Sequence, residues 1–332
     1  MTFDKSVPVL IAIACSGVFA ALAGAAPSHI YLTYSGAPET TVDINIIMPR
    51  QVDGVQVYYD TAGHGDDKSA YATQMEAKYH ATPMELSDRR SLYVATLSGL
   101  KPGTAYHFLV DNEKYGPSKP RKFRTLPGGT KPFRFVNGGD MGVEDFAEPL
   151  LSLAGNTDPD FAVIGGDIAY VNGLLGWYNE WDAWLENWDK HMVRPDGCMI
   201  PIVTAIGNHE VNRYATDDAN LKSPWYISLF GRQGKEIYFT QHFGDNFVLF
   251  SLDTGHMNPH DGAQAAWLAE EMKKNAGVKY KFAAYHVPLY PAHRDYEGTW
   301  SALGRTHWGP LFDKYGLTVG MEHHDHVLKR TK

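Results

Sequence analysis

Three apolar runs in this chain end on glycine followed by a side chain able to bind a metal. "FRFVNGGD" ends on Asp140, "FAVIGGD" on Asp167, and "IPIVTAIGNH" on Asn208 and His209. Two more runs, "YKFAAYH" and "LTVGMEHHDH", end on His286 and on His324 and His326. Near-continuous apolar runs predict strands covered on both faces, and helix-like segments lie between them, so residues 132–332 are expected to form an α/β domain. In an open α/β sheet, ligands gather outside the carboxyl ends of the strands. Five strand ends would therefore deliver carboxylate, amide and imidazole to one rim. A glycine before Asp140, Asp167 and Asn208 lets the backbone turn sharply toward it.

Residues 28–127 read differently. Short runs rich in Val, Ile, Tyr and Thr alternate with turn signals: "HIYLTY", "TTVDINIIM", "GVQVYYD", "SLYVATL", "TAYHFLV", "RKFRTL". That pattern predicts an all-β sandwich. Val42, Ile44 and Ile46 alternate with polar residues, as in a half-buried strand. "LPGGTKP" at 126–132 reads as the linker, because Gly-Gly between prolines does not extend a strand. In the second region, Trp177, Trp181, Trp184 and Trp188 are spaced to share one helical face and are expected to pack in the core. "GAQAAWLAEEMKKN" has an apolar side through Ala265, Leu268 and Met272 and reads as a cover helix.

The first residues read as a secretory leader, residues 1–25. Lys5 precedes an apolar stretch from Val7 to Leu22, and Ala23-Gly24-Ala25 forms a small-x-small cleavage site. The alternative is a retained membrane anchor, against which Pro8, Ser16 and Gly17 interrupt the stretch. Once the leader is removed, Cys198 is the remaining cysteine, so no intramolecular disulfide is expected. The formal net charge of −8 argues against nucleic acid as the main partner.

Any one of the strand-end residues alone would be a turn aspartate or an ordinary polar histidine. Together, and in this order, they read as one ligand set of oxygens and nitrogens, suited to Fe, Zn or Mn. A carboxylate in such a set can bridge two cations about 3.5–4 Å apart.

These blocks resemble the five metal-binding motifs of the purple acid phosphatases. "GDMG" at 139–142 is similar to GDxG, "GDIAY" at 166–170 to GDxxY, and "GNHE" at 207–210 to GNHE; "YHVPLY" is similar to the fourth block, and "HHDH" at 323–326 to GHxH. The resemblance implies a four-layer αββα metallophosphoesterase domain behind a fibronectin type III-like domain, in which Tyr106 of "LSGLKPGTAYHFLV" would be the buried corner tyrosine. Ile46 or Ile47 would fill the place of that family's early Trp. The resemblance also implies a ferric iron on Asp140, Asp167, Tyr170 and His326. A divalent metal (Zn, Mn or Fe) would lie on Asp167, Asn208, His286 and His324, with Asp167 bridging.

The residues themselves favour this branch. Gly142 stands where the wider superfamily has a ligating His, and the Tyr170 phenolate would replace that ligand. The implied reaction is hydrolysis of phosphomonoesters by a metal-activated hydroxide. His209 and His293 are the candidate catalytic residues, and Arg294 and His323 the candidate phosphate contacts. His323 stands where the family has Gly, which leaves His323 and Asp325 as an alternative register to His324 and His326. Only Val327 to Lys332 follow the last motif, so the domain is expected to be an incomplete copy. Two other functions remain open on the residues: a phosphodiesterase with the same site, and a non-catalytic surface or adhesion protein whose metals are structural.

Overall fold

The computed structural model describes residues 27–87, 89–215, 218–231 and 237–330. The expected leader at residues 1–25 lies outside them. Among the described residues no helix is long and apolar enough to cross a membrane.

The amino-terminal region contains eight strands: β1 (His29–Thr33), β2 (Val42–Met48), β3 (Gln56–Asp60), β4 (Thr73–Glu76), β5 (Lys78–His80), β6 (Ser91–Leu97), β7 (Ala105–Asp111) and β8 (Arg121–Arg124). They form two antiparallel sheets, β1-β2-β6-β5 and β4-β3-β7-β8. Ile30, Leu32, Ile44 and Ile46 of the first sheet share a core with Val57, Phe108, Val110 and Phe123 of the second. This is a β-sandwich, as the turn-punctuated runs predict. Tyr106 is buried and stacks on Phe123 with ring centroids 5.6 Å apart. Its hydroxyl accepts the Lys101 N–H at 2.9 Å, a tyrosine tied back to the chain a few residues upstream.

One expectation fails at β2, which is buried along its whole length rather than half-buried. Ile44 and Ile46 face the sandwich core, whereas Ile47 belongs to a second core with Trp181 and Trp184. The outer face of this sheet is covered by the carboxyl-terminal domain. The Tyr31 hydroxyl donates to the Leu229 carbonyl at 2.7 Å, and the His29 ring lies 2.9 Å from Asp182.

The second domain runs β9 (Phe135–Gly138), α1 (Ala147–Asn156), β10 (Phe161–Ile164), α2 (Tyr178–His191), β11 (Ile202–Thr204), α3 (Ala219–Lys222), α4 (Pro224–Phe230), β12 (Phe239–Phe243), β13 (Phe247–Ser251), α5 (Gly262–Lys274), β14 (Tyr280–Tyr285), α6 (Thr299–His307), α7 (Gly309–Tyr315) and β15 (Val319–Glu322). One sheet, β11-β10-β9, is parallel. The other, β12-β13-β14-β15, is parallel except for the β12–β13 pair.

Alternation along the strands sets the layers. Phe161, Val163 and Val203 meet Phe247, Leu249, Ala284 and Met321 between the sheets. On the outside, Ala162, Ile164 and Ile202 pack against Trp181, Trp184, Leu185 and Trp188 of α2. On the opposite outside, Val248, Phe250 and Ala283 meet Leu268 and Met272 of α5, together with Trp308 and Phe312. The order is helix, sheet, sheet, helix. Three of the four tryptophans on the helical face are core. Trp177 precedes the first turn of α2 and is 47% exposed, because the helix begins one residue too late to turn it inward.

Candidate metal centre

All five strand ends deliver their residues to one rim. Asp140 follows β9, Asp167 follows β10, Asn208 follows β11, His286 follows β14, and His324 and His326 follow β15. Five of the seven candidate ligands have left-handed backbone: Asp140 at φ 53°, Asp167 at 52°, Tyr170 at 57°, His324 at 68° and His326 at 50°. For residues other than glycine this costs about 1–3 kcal/mol each, and it persists only where the surroundings enforce it. The strand ends also touch backbone to backbone. A Cβ on Gly166 would lie 2.5 Å from the Gly207 nitrogen, and one on Gly207 would lie 2.3 Å from Asp167 Oδ1. Only glycine allows this approach.

The donors form two clusters. In the first, His286 Nε2 is 3.0 Å from Asp167 Oδ2, 3.1 Å from Asn208 Oδ1 and 3.0 Å from His324 Nδ1. Ligand atoms of Asp167, His286 and His324 all lie within 4.8 Å of one another, and all three residues are buried. His286 Nδ1 is fixed by the Gly165 carbonyl at 2.9 Å, which turns Nε2 to the cluster. In the second, His326 Nε2 lies 3.1 Å from Asp140 Oδ1, and the Tyr170 hydroxyl lies 3.0 Å from His326 Nε2 and 3.5 Å from Asp140 Oδ1. The His324 N–H donates to Asp140 Oδ2 at 2.8 Å and ties the two clusters together.

The electrostatics fit a cation. Burial would raise the Asp167 carboxyl, but the hydrogen bond and charge of His286 outweigh it and hold the group at about 2. Burial pushes His324 down to about 4, with His286 and Arg294 adding to the effect. Burial pushes the Tyr170 hydroxyl well above its ordinary range, and the Asp140, Asp167 and Glu210 carboxylates push it further. A phenolate here therefore needs a cation beside it. Carboxylate, amide and imidazole donors converging in a largely buried site suit one.

Of the candidate catalytic residues, His209 lies at the centre. Its ring packs on Tyr170 with centroids 4.4 Å apart, and its Nε2 is 3.9 Å from Asp167 Oδ2. His293 is exposed, and its backbone N–H donates to Asp325 Oδ2 at 3.1 Å. Arg294 donates to the His324 carbonyl at 3.1 Å and lies 3.5 Å from Asp325 Oδ1, so it braces the ligand loop. His323 does not face outward as a phosphate contact would. Its Nδ1 is 3.0 Å from the Tyr285 carbonyl and its Nε2 is 3.3 Å from Asn137 Oδ1, and the ring fills the notch left by Gly139 and Gly165. Asp325 accepts the Ala292 and His293 N–H groups. The alternative register, with His323 and Asp325 as ligands, is thus occupied by other bonds.

Three residues escaped the sequence reading. Asn172, at φ 53°, has its Oδ1 2.6 Å from His209 Nδ1. It stands in an Asn-Gly turn beside Tyr170, a signal that could have marked it. His256 is buried, edge-on to His286 at 5.7 Å between centroids, with Nε2 3.1 Å from Thr254 Oγ1. It ends the run "FVLFSLDTGH", the same apolar–Gly–polar pattern as the ligands. Burial, then the neighbouring His286, hold its ring well below the ordinary histidine range. The third is Glu210, which is buried between the Asp167 and Asn208 loops.

Comparison with known proteins agrees with this fold. The family described as purple acid phosphatase, N-terminal domain, matches residues 27–125, and the calcineurin-like phosphoesterase family matches residues 134–327. No curated protein matches the chain. Among solved structures, the purple acid phosphatase PPD1 from yellow lupin (Lupinus luteus) seeds superposes with a TM-score of 0.68 at 16% identity, over 89% of this chain and 57% of its own. A structure of PhoD superposes with a TM-score of 0.62 at 12% identity, over 89% of this chain and 70% of its own. At these identities the two structures show a shared fold. The chain thus spans little more than half the length of the lupin enzyme. The phosphoesterase match covers more than half of this chain, directly behind the matched amino-terminal domain, and so the chain belongs to the calcineurin-like phosphoesterase family as a purple acid phosphatase-like protein.

Proposed function

We propose that the protein is a secreted phosphatase that hydrolyses phosphomonoesters with two metal ions. The observation that carries this reading is the sharing of one rim by two donor clusters, tied together where the His324 N–H donates to Asp140 Oδ2. Asp140, Asp167, Tyr170 and His326 would hold a ferric ion, and Asp167, Asn208, His286 and His324 a divalent one. When bound, such a pair supplies Lewis acidity toward the phosphoryl oxygens and makes water acidic enough to serve as a nucleophile near neutral pH.

The chain's own residues supply position and protons. Asn172 fixes the His209 ring through Nδ1 and leaves Nε2 beside the Asp167 carboxylate, where it can hold a phosphoryl oxygen. His293, on an exposed loop anchored by Asp325, would protonate the leaving oxygen. Residues 1–25 would direct export.

The test is hydrolysis of para-nitrophenyl phosphate and of its bis-ester, with metal analysis of the same preparation. Faster hydrolysis of the monoester by a two-metal protein is expected. Preference for the bis-ester would make the protein a phosphodiesterase, and two metals with neither activity would make the metals structural.

A further inference from the structure

We infer that Glu210 is a positioning residue of the metal centre: its carboxylate joins the strand end carrying Asp167 to the strand end carrying Asn208 and holds Asp167 in its left-handed conformation. The inference rests on the metal reading above.

Three of the rim's loops, those after β9, β10 and β11, lie side by side, and two seams lie between them. The first seam is stitched by backbone. The N–H groups of Asp140, Met141 and Gly142 donate to the carbonyls of Gly166, Asp167 and Ile168, each at 3.0 Å. The second seam, between β10 and β11, has ordinary strand pairing as far as the Ala205 N–H, which donates to the Ile164 carbonyl at 2.8 Å. Beyond that point the Glu210 carboxylate takes over. Its Oε2 accepts the Asp167 N–H at 2.7 Å and the Gly207 N–H at 2.8 Å, and its Oε1 accepts the Ile168 N–H at 2.7 Å. Glu210 is 1% exposed, so no water competes for these donors.

The consequence reaches the ligands directly. Asp167 at φ 52° needs enforcement from its surroundings. The carbonyls of 166–168 are held from one side and the N–H groups of Asp167 and Ile168 from the other, and Glu210 supplies the second hold. The two carboxylate oxygens thereby pair three loop N–H groups that would otherwise be buried without partners. Glutamine cannot replace it. An amide offers one acceptor oxygen and turns an NH2 group toward at least one of the three N–H donors. Aspartate is one methylene too short to reach both loops.

The test compares thermal unfolding of the full chain, stripped with chelator and then saturated with Zn2+, for wild type, Glu210→Gln and Ser251→Ala. Ser251 is a control for lost structure: its buried hydroxyl donates to the Thr204 carbonyl at 2.8 Å and ties the two sheets together. Zn2+ should raise the melting temperature of wild type and of Ser251→Ala equally, and that of Glu210→Gln far less. Calorimetric titration should show Zn2+ affinity weakened about 10–100-fold in Glu210→Gln, as for partners that orient metal ligands. If Glu210→Gln does not accumulate as folded protein, Glu210→Asp takes its place with the same expectation. An equal Zn2+ increment in the Glu210 variant and wild type would overturn the inference while leaving the metal site standing. A wild type that gains nothing from Zn2+ would overturn the metal reading and this inference together.

Discussion

His324 Nδ1 and Asp167 Oδ2 each stand 3.0 Å from the same atom, Nε2 of the fully buried His286. Two imidazole nitrogens and a carboxylate oxygen thus converge with no room for water between them. Without a cation, a proton on His286 holds the cluster together. With one, that proton must leave.

The pH dependence of the metal-free protein follows. Asp167 is held at about 2 against an ordinary 3.8, so its stabilisation is present above 3.8 and is lost as pH falls through 2. For His286, burial alone would lower the ring, but the hydrogen bond to Asp167 raises it above 6.5. Its stabilisation is complete below 6.5 and is lost as pH rises through that higher value. Chelated protein should therefore gain most from this pair between about pH 4 and 6.5. Melting temperatures of wild type and Asp167→Asn across pH check this. A wild-type advantage that kept growing above neutrality would contradict it.

Tyr170→Phe keeps the ring that packs on His209 and removes the oxygen near Asp140 and His326. Iron-loaded wild type should absorb visible light through a phenolate ligand, and the variant should be colourless with weakened iron binding. Its unfolding should shift by no more than about 1 kcal/mol, because a half-buried hydroxyl is all that is lost. A wild-type protein that holds iron yet is colourless would remove Tyr170 from the ligand set.

His323 and His326 should separate stability from metal binding. The His323 ring braces the two sheets through the Tyr285 carbonyl and Asn137, so His323→Ala should cost about 1–3 kcal/mol of stability. The His326 side chain is 57% exposed, so His326→Ala should cost under about 0.5 kcal/mol in the metal-free protein but most of the second-cluster metal. Unfolding of chelated protein, with metal content measured in parallel, reads both. The reverse ranking of metal loss would move the ligands to His323 and Asp325.

The strands that carry ligands were legible because each belongs to an apolar run ending on a polar residue of binding type, even where, as in β9 and β15, the strand is largely uncovered. Asp140, Asp167, Asn208, His286, His324 and His326 meet at one rim for that reason. The strands β4, β5 and β12 were not legible. The first two are short and largely exposed, and so lack an apolar run, while β12 carries polar Thr240, Gln241 and His242 between its aromatics. The Glu210 clamp and the His323 brace were out of reach for a different reason. Each depends on a side chain bonded to backbone distant in sequence, Glu210 to the Asp167 and Ile168 N–H groups and His323 to the Tyr285 carbonyl, and no local spacing encodes those contacts. The burial of Asp43 and Asn45 was hidden in the same way, because it depends on the other domain docking over their sheet.

The most direct measurement is the metal content of the purified chain and of Asp167→Ala, taken with the rate of para-nitrophenyl phosphate hydrolysis. Asp167 is the proposed bridge between the two metals, so losing its carboxylate should empty both. Wild type should hold two metal ions per chain and hydrolyse the ester, and Asp167→Ala should lose the metals and nearly all activity. Two metals and full activity in Asp167→Ala would contradict the site described here.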